Sequence, residues 1–457
     1  MLNSNNQTLR RNKVEYNLDT VVTKTNTVYY ENYGCASNKS DMEIMLGILG
    51  NNGYSITQDP KTASLIIVNT CAVKQITEDK IFGKLNKMKN HSKPIIITGC
   101  LPKINLQRIA DSHLDHCSLL DPASIDKIDD IANKCLQNRV QNIIFSNRPP
   151  NKPSLPRRRL NSYIEILQIS EGCQGKCSYC CTRFARGRLH CFTPKSILKQ
   201  IQKAIAENSV EIQLTAQDTA SYNYRGYNLC DLLRDISAIK GDFKIRIGMM
   251  NPETTFKLLD DIIHAYENDK IYKYLHVPIQ SGSNRILKLM KRKNTIDDFL
   301  SIVSIFRSHF PTISIATDII VGFPTETQED FEETLNLIKL VRPDVINISK
   351  YTPRPGTAAS KMKQLDSRII ASRSRILSKQ VGHIIKTQHM KMLGSYEEVY
   401  PIERTSTGTL FCRTHNYKKA FIQDVVPMGK KIRVKIIGAH QRRLDCKVLD
   451  PKAPQNS

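Results

Sequence analysis

The chain has 457 residues, with 67 Lys or Arg against 43 Asp or Glu, a net charge of +24. At roughly 150 residues per domain, that length predicts about three domains, each able to bury its own core without disulfide staples. Thirteen cysteines, an odd number scattered along a sequence with no charged-then-apolar leader and no long apolar run, argue against secretion and membrane spanning. Reduced thiols in the cytoplasm are the expectation. The excess positive charge repels itself unless a polyanion shares it, so nucleic acid is the leading partner class, with plain solubility as the alternative.

Residues 1–26 are polar, lack period and read as a disordered tail. From Val28, apolar runs alternate with helix-like stretches. "VYYENYG", "SDMEIMLGILG", "SLIIVNT" and "PIIITG", with weaker signals to about residue 140, predict an open, mostly parallel α/β sheet over 27–140. Four prolines and four arginines among the fourteen residues of "SNRPPNKPSLPRRR" predict a linker over 141–160. Its arginines read as a solvated run or as phosphate contacts beside a nucleic-acid site. Six strand runs follow with helices between them: "SYIEILQIS", "VEIQLTAQ", "FKIRIGMM", "KYLHVPIQ", "TISIATDIIVG" and "DVINISKYTP". They predict a full or partial TIM-like barrel, which with a basic helix from about Asp366 to Met392 fills 161–392. That helix carries Arg368, Arg373, Arg375, Lys379, Lys386 and Lys391.

The last segment, 393–451, holds five short strand runs with turns between them, as in a small β-barrel of the oligonucleotide-binding (OB) type. In "KKIRVKIIG", Ile432, Val434 and Ile436 alternate with Lys431, Arg433 and Lys435, so the residues facing away from the core are cationic. They are candidate RNA contacts, with a solvated strand face as the alternative. Residues 452–457 form a second polar tail.

The densest chemistry lies in "EGCQGKCSYC", where Cys173, Cys177 and Cys180 follow the first barrel strand, at the edge where such barrels hold their sites. A structural zinc takes four ligands and a catalytic zinc usually mixes in histidine. Cys181 adjoins Cys180, and neighbouring side chains diverge. Three thiolates suit a [4Fe–4S] cluster that keeps one iron open, while a zinc knuckle stays as the alternative. Cys35, Cys71 and Cys100 each end a successive strand run of the N-terminal sheet and so converge on the edge where open α/β folds bind ligands. Buried small hydrophobes are the other reading of these three.

The spacing C-x3-C-x2-C after a barrel strand, with Tyr179 before the last cysteine, resembles the radical S-adenosylmethionine superfamily, in which the free iron is chelated by that cofactor. With the N-terminal cysteine trio and the terminal β-barrel, the chain resembles the methylthiotransferase family over about residues 27–450. The resemblance implies an α/β protein with three parts: an N-terminal open sheet, a radical-SAM partial (β/α)6 barrel, and a small OB-like barrel called TRAM that grips RNA. It also implies a second [4Fe–4S] cluster on Cys35, Cys71 and Cys100. "YGCASNKSD" and "CSYCCTRFARGRL" are similar to the archaeal and eukaryotic-type enzymes that act on N6-threonylcarbamoyladenosine in tRNA, next to the anticodon. Eukaryotic members often add a hydrophobic C-terminal anchor; "KVLDPKAPQNS" ends polar, so no membrane contact and the archaeal kind are expected.

The resemblance further implies cofactor positions at Gln217 and Asp218 in "LTAQDTASY", at Gln280 and Ser281 in "HVPIQSGS", and at Gly322 in "TDIIVGFPTET", a turn open to adenine or ribose. His276 reads equally as structural or functional. Arg186 and Arg188 read as carboxylate or phosphate holders, or as surface pairs. The implied reaction puts a methylthio group on adenine carbon 2, whose C–H bond offers no acid–base handle. A radical from S-adenosylmethionine cleaved at the Cys173, Cys177, Cys180 cluster, and sulfur methylated at the other cluster by a second cofactor molecule, would accomplish it. The partners implied are tRNA, an external electron donor and a sulfur source. The same chemistry on isopentenyladenosine tRNA or on a ribosomal protein is one alternative, and a non-catalytic zinc and RNA-binding protein is another.

Overall fold

The computed structural model describes residues 26–88, 93–114, 117–137 and 142–449; the tails expected at 1–26 and 452–457 lie outside them, Asn26 excepted. The N-terminal unit is a six-stranded parallel sheet. Its strands run in the order Ser55–Ile56, Thr27–Asn32, Leu65–Thr70, Ile95–Gly99, Ser118–Leu120, Ile143–Ile144. Leu65–Thr70 and Ile95–Gly99 are buried along their whole length, as parallel strands covered by helices on both faces must be. Alternate residues feed two cores: Ile66, Val68, Ile95 and Ile97 pack on one face, Leu65, Ile67 and Ile96 on the other.

Six further parallel strands follow in chain order. Ile164–Gln168, Glu211–Thr215 and Lys244–Ile247 form one sheet, and Tyr274–His276, Ser314–Val321 and Val345–Lys350 a second. The parallel bridge Ile245 to Ile271 joins them. Among the described residues no pairing closes the first strand on the sixth, so this is the partial (β/α)6 barrel expected. Helix Ser367–Met390 packs against its last strands. One of that helix's cations is internal: Arg373 is buried and pairs with Glu326 at 2.7 Å.

The segment expected to be a free linker is a packed strap. The last strand of the N-terminal sheet already falls inside it, and Lys152 and Pro153 are buried. Arg157 donates to Glu165 Oε1 at 2.6 Å, and Arg159 lies 3.0 Å from Glu207 and 3.5 Å from Glu165. Glu165 is fully buried and needs a cation there, because an unpaired buried carboxylate is costly. Arg157 and Arg159 are therefore engaged within the fold and are not phosphate contacts; Arg158 alone of the three is exposed.

At the other end, five strands close a barrel in the order Tyr396–Arg404, Leu410–Arg413, Lys419–Ile422, Leu444–Val448, Ile432–Ala439. Val399, Leu410, Ala420, Val434, Ile436 and Leu444 fill it. This barrel plugs the floor of the larger one. Tyr417 donates to Glu211 Oε1 at 2.9 Å, Tyr400 to Asp242 Oδ1 at 2.6 Å, and Asn416 to the Thr312 carbonyl at 3.1 Å, while Lys418 pairs with Asp344. Each of those acceptors stands at or just before the start of a barrel strand, so the plug sits opposite the strands' carboxyl ends.

Candidate active site

Both cysteine trios lie at carboxyl ends of parallel strands. Thr27–Asn32, Leu65–Thr70 and Ile95–Gly99 are adjacent, and paired residues near their ends, Asn32 with Asn69 and Thr70 with Gly99, bring Cys71 and Cys100 out side by side. Gly34, at φ +112°, lets the chain before Cys35 fold over them: a Cβ there would stand 2.9 Å from Cys71 Cβ. Cys35 Sγ donates to Asn38 Oδ1 at 3.3 Å. Burial pushes the Cys100 thiol up to about 12 against the pull of Arg186, and burial raises Cys71 as well.

In the second trio, the Gly175 amide donates to Cys173 Sγ at 3.2 Å, and a side chain at Gly175 would touch the sulfurs of both Cys173 and Cys177. Burial, with Asp218 and the other two cysteines nearby, pushes Cys173 up to about 11. Burial thus disfavours the thiolates of Cys71, Cys100, Cys173 and Cys180 unless a positive centre replaces their protons. Soft thiols in threes are the donor set that an iron–sulfur cluster takes. Cys181 does diverge from Cys180: it is buried, with its Sγ 3.5 Å from the Ala72 carbonyl oxygen.

The two trios meet across an interface. Arg186, on helix Thr182–Arg186 just past Cys180, donates to Glu171 Oε1 at 2.6 Å and to Asp41 Oδ2 at 2.8 Å. Lys152 of the strap completes a buried quartet, 2.7 Å from Asp41 and 2.8 Å from Glu171. Burial opposes the charge on Arg186, yet Asp41, Cys100 and Glu171 hold it firmly protonated; Lys152 and Arg186 in turn keep Asp41 below the carboxylate range despite its burial. Arg186 is thus a carboxylate holder, for the protein's own acids, whereas Arg188 is exposed.

The other sequence candidates divide. Gln217 Oε1 accepts from the Gly172 amide at 2.7 Å and so steadies the loop that leads into Cys173. Asp218 is buried, and its oxygens accept from Asn251 and Thr254, so it caps the start of helix Pro252–Lys257. Tyr179 packs against the buried cluster formed by Ile286, Met290, Phe323, Tyr351 and Ala359. Gln280 has a left-handed backbone, φ +77°, rare for a residue with a side chain; its backbone amide donates to the Asp318 carbonyl at 2.8 Å, and among the described residues no hydrogen bond is made by its side-chain amide. Ser281 is buried and accepts from the Ser283 amide. Gly322, at φ +76°, lies against Ile370 of the long helix, 2.4 Å from where a Cβ would be, so a side chain there would strike that helix. His276 pairs with Asp318 at 3.2 Å.

Sequence reasoning missed Asp41, Lys152, Glu171 and Arg354. The last pairs with buried Glu78 and donates to Gln75 on the helix after Cys71. A signal existed in acids set within apolar runs, as in "SDMEIMLGILG", where Asp41 and Glu43 are both buried.

Residues 167–338 match the Radical SAM superfamily model, and residues 27–119 match Uncharacterized protein family UPF0004. A radical S-adenosylmethionine methyltransferase, TsrM from Kitasatospora setae, superposes with a TM-score of 0.53 at 13% identity, over 74% of this chain and 75% of its own. The middle of the chain is thus a radical SAM fold. A probable threonylcarbamoyladenosine tRNA methylthiotransferase of Pyrococcus horikoshii is 40% identical over 88% of this chain and 94% of its own length. One from Methanothermobacter thermautotrophicus is 40% identical over 90% and 96%. The threonylcarbamoyladenosine tRNA methylthiotransferase of Drosophila melanogaster is 31% identical over 94% and 79%. The chain belongs to the threonylcarbamoyladenosine tRNA methylthiotransferase family.

Proposed function

We propose that this protein inserts a methylthio group at carbon 2 of N6-threonylcarbamoyladenosine in tRNA, using S-adenosylmethionine and two [4Fe–4S] clusters. The observation that carries the reading is the meeting of the two thiol trios across the Arg186 interface, each at the carboxyl edge of its own parallel sheet. Cys173, Cys177 and Cys180 would hold one cluster and Cys35, Cys71 and Cys100 the other. When bound, such a cluster with S-adenosylmethionine supplies the one-electron chemistry that an unactivated C–H bond demands.

The chain's own residues set the geometry. Gln217 fixes the entry to the Cys173 loop, Tyr179 backs it with an apolar wall, and Gln280, with its left-handed backbone, follows the end of the fourth barrel strand. Gln280 and Ser281 are the cofactor candidates that stay in the proposal; Asp218 acts by shaping the loop beside them. Arg433 and Lys435 on the terminal barrel are the proposed RNA contacts. An external electron donor and a sulfur source are required by the chemistry, and a cytoplasmic location fits a tRNA substrate. Among the described residues no helix is long and apolar enough to cross a membrane. Mass spectrometry of tRNA nucleosides from cells with and without the gene tests the reading: the methylthiolated form of threonylcarbamoyladenosine should disappear, leaving the unmodified nucleoside in its place. Its persistence in the deleted strain would sink the assignment.

A further inference from the structure

Tyr396 opens the first strand of the terminal barrel and is 55% exposed, although burial is what an aromatic ring ordinarily gains from a strand. Its neighbours across the sheet are cations. In register, Tyr396 stands opposite Lys435 on strand Ile432–Ala439, and Lys435 stands opposite Lys447 on strand Leu444–Val448. Directly opposed side chains share one face of a sheet, so the ring, Lys435 and Lys447 form a row across three strands. The Arg433 guanidinium carbon is 5.6 Å from the centre of the Tyr396 ring, and the Lys435 nitrogen is 5.8 Å from it. All three cations are exposed, and among the described residues none of them makes an ion pair. Lys431, just before the same strand, is by contrast 3.2 Å from Glu398.

We propose that Tyr396 is a stacking platform for one unpaired nucleotide of the tRNA, with Arg433, Lys435 and Lys447 holding the phosphates beside it. The inference deepens the RNA contacts proposed above and rests on them. Cations alone attract any polyanion, duplex and single strand alike. A flat exposed ring adds a choice, because bases inside a helix are already stacked on one another while an unpaired base offers its own face. The three cations without acidic partners match the phosphates on either side of such a base, in a chain whose net charge of +24 already calls for a polyanion. The terminal barrel thereby selects looped RNA over a plain helix.

The test takes the full chain and measures its affinity for purified tRNA, for a single-stranded RNA oligonucleotide and for a blunt RNA duplex of the same length. Stacking on an aromatic side chain is lost on truncation, so Tyr396→Ala should weaken binding of tRNA and of the single strand by about 5- to 150-fold and leave the duplex affinity as it was. The ring is exposed, so its replacement spares the barrel core. Tyr396→Phe should keep the wild-type affinity, and the salt slope should stay the same in both variants because no cation is removed. The chain has no tryptophan, so Tyr396→Trp places a single indole reporter at the site. Its emission should be quenched when tRNA or the single strand binds, and not when the duplex does. Unaltered tRNA affinity in Tyr396→Ala, an equal loss for single strand and duplex, or an unquenched indole at saturating tRNA overturns the inference. No affinity of the wild-type chain for tRNA would overturn the RNA-contact reading itself, and this inference with it.

Discussion

On the proposed reading Cys173 and Cys35 serve different clusters, so replacing their trios should divide the reaction. With Cys173, Cys177 and Cys180 changed to Ala, about half the reconstituted iron should remain and S-adenosylmethionine cleavage should be lost. With Cys35, Cys71 and Cys100 changed, cleavage should continue while methylthiolated product vanishes; product at the normal yield would make those thiols mere core residues. A second residue-scale outcome concerns pH. Glu43 is 1% exposed; burial pushes its carboxyl from 4.5 up to about 7, and its Oε2 lacks a partner among the described residues. A raised carboxyl contributes stability that is full below 4.5 and lost as pH rises through 7. Glu43→Gln keeps an acceptor for the Leu160 amide and removes the charge, so it should stabilise the protein at pH 8 by up to about 3 kcal/mol and much less at pH 5. Thermal melts at the two pH values check this, and equal effects would rule out the protonation account. The six cysteines were legible because thiol spacing and strand-end position carry their chemistry locally. Arg354 was not, because its partners Glu78 and Gln75 lie far away along the chain.

Elements show where packing overrides local pattern. Helix Ala36–Asn51 is buried on most of its surface because the strap lies across it, and Gly47 is the crossing point: a Cβ there would stand 2.4 Å from Arg157 Cα. Gly47→Ala should therefore destabilise by about 1–3 kcal/mol, because a backbone cannot yield as a side chain can. Gly83, on helix Gln75–Met88, has open space at the same position, and Gly83→Ala should stabilise by about 0.5–1 kcal/mol through the unfolded chain's lost entropy. Chemical denaturation of the pair tests the strap directly, and similar effects from both changes would contradict it. The strap itself misled sequence reading. Proline and arginine density looks like a solvated tether, but here Pro153 packs and Arg157 neutralises a buried glutamate two strand positions into the barrel. The strands were legible because parallel strands buried on both faces are written as apolar runs.

At the scale of the molecule, the two thiol sites and the terminal barrel occupy opposite ends of the (β/α)6 barrel. A five-residue strand spans about 17 Å, so an RNA that touches Arg433 and Lys435 while its adenosine reaches the thiols must bridge at least that depth. Both cations lie outward on strand Ile432–Ala439, flanking the exposed Tyr396 at 5.6 and 5.8 Å. Lys431 is instead 3.2 Å from Glu398. Replacing Arg433 and Lys435 by Gln should lower the salt slope of tRNA binding by up to about two, and adding Lys431→Gln should change it little further. An unchanged slope in the double variant would leave this face as solvated surface. The sequence showed the cationic alternation, but the Glu398 pairing depends on a strand neighbour and was invisible there.

The most direct test is reconstitution of the purified full chain with S-adenosylmethionine, reductant and a sulfur source on two tRNA samples, one bearing N6-threonylcarbamoyladenosine and one with unmodified adenosine at the same position. Nucleoside mass spectrometry should find CH3S in place of hydrogen on the threonylcarbamoyladenosine of the first sample and no change in the second. Methylthiolation of neither tRNA by protein carrying its full iron complement, or equal modification of both, would contradict the account.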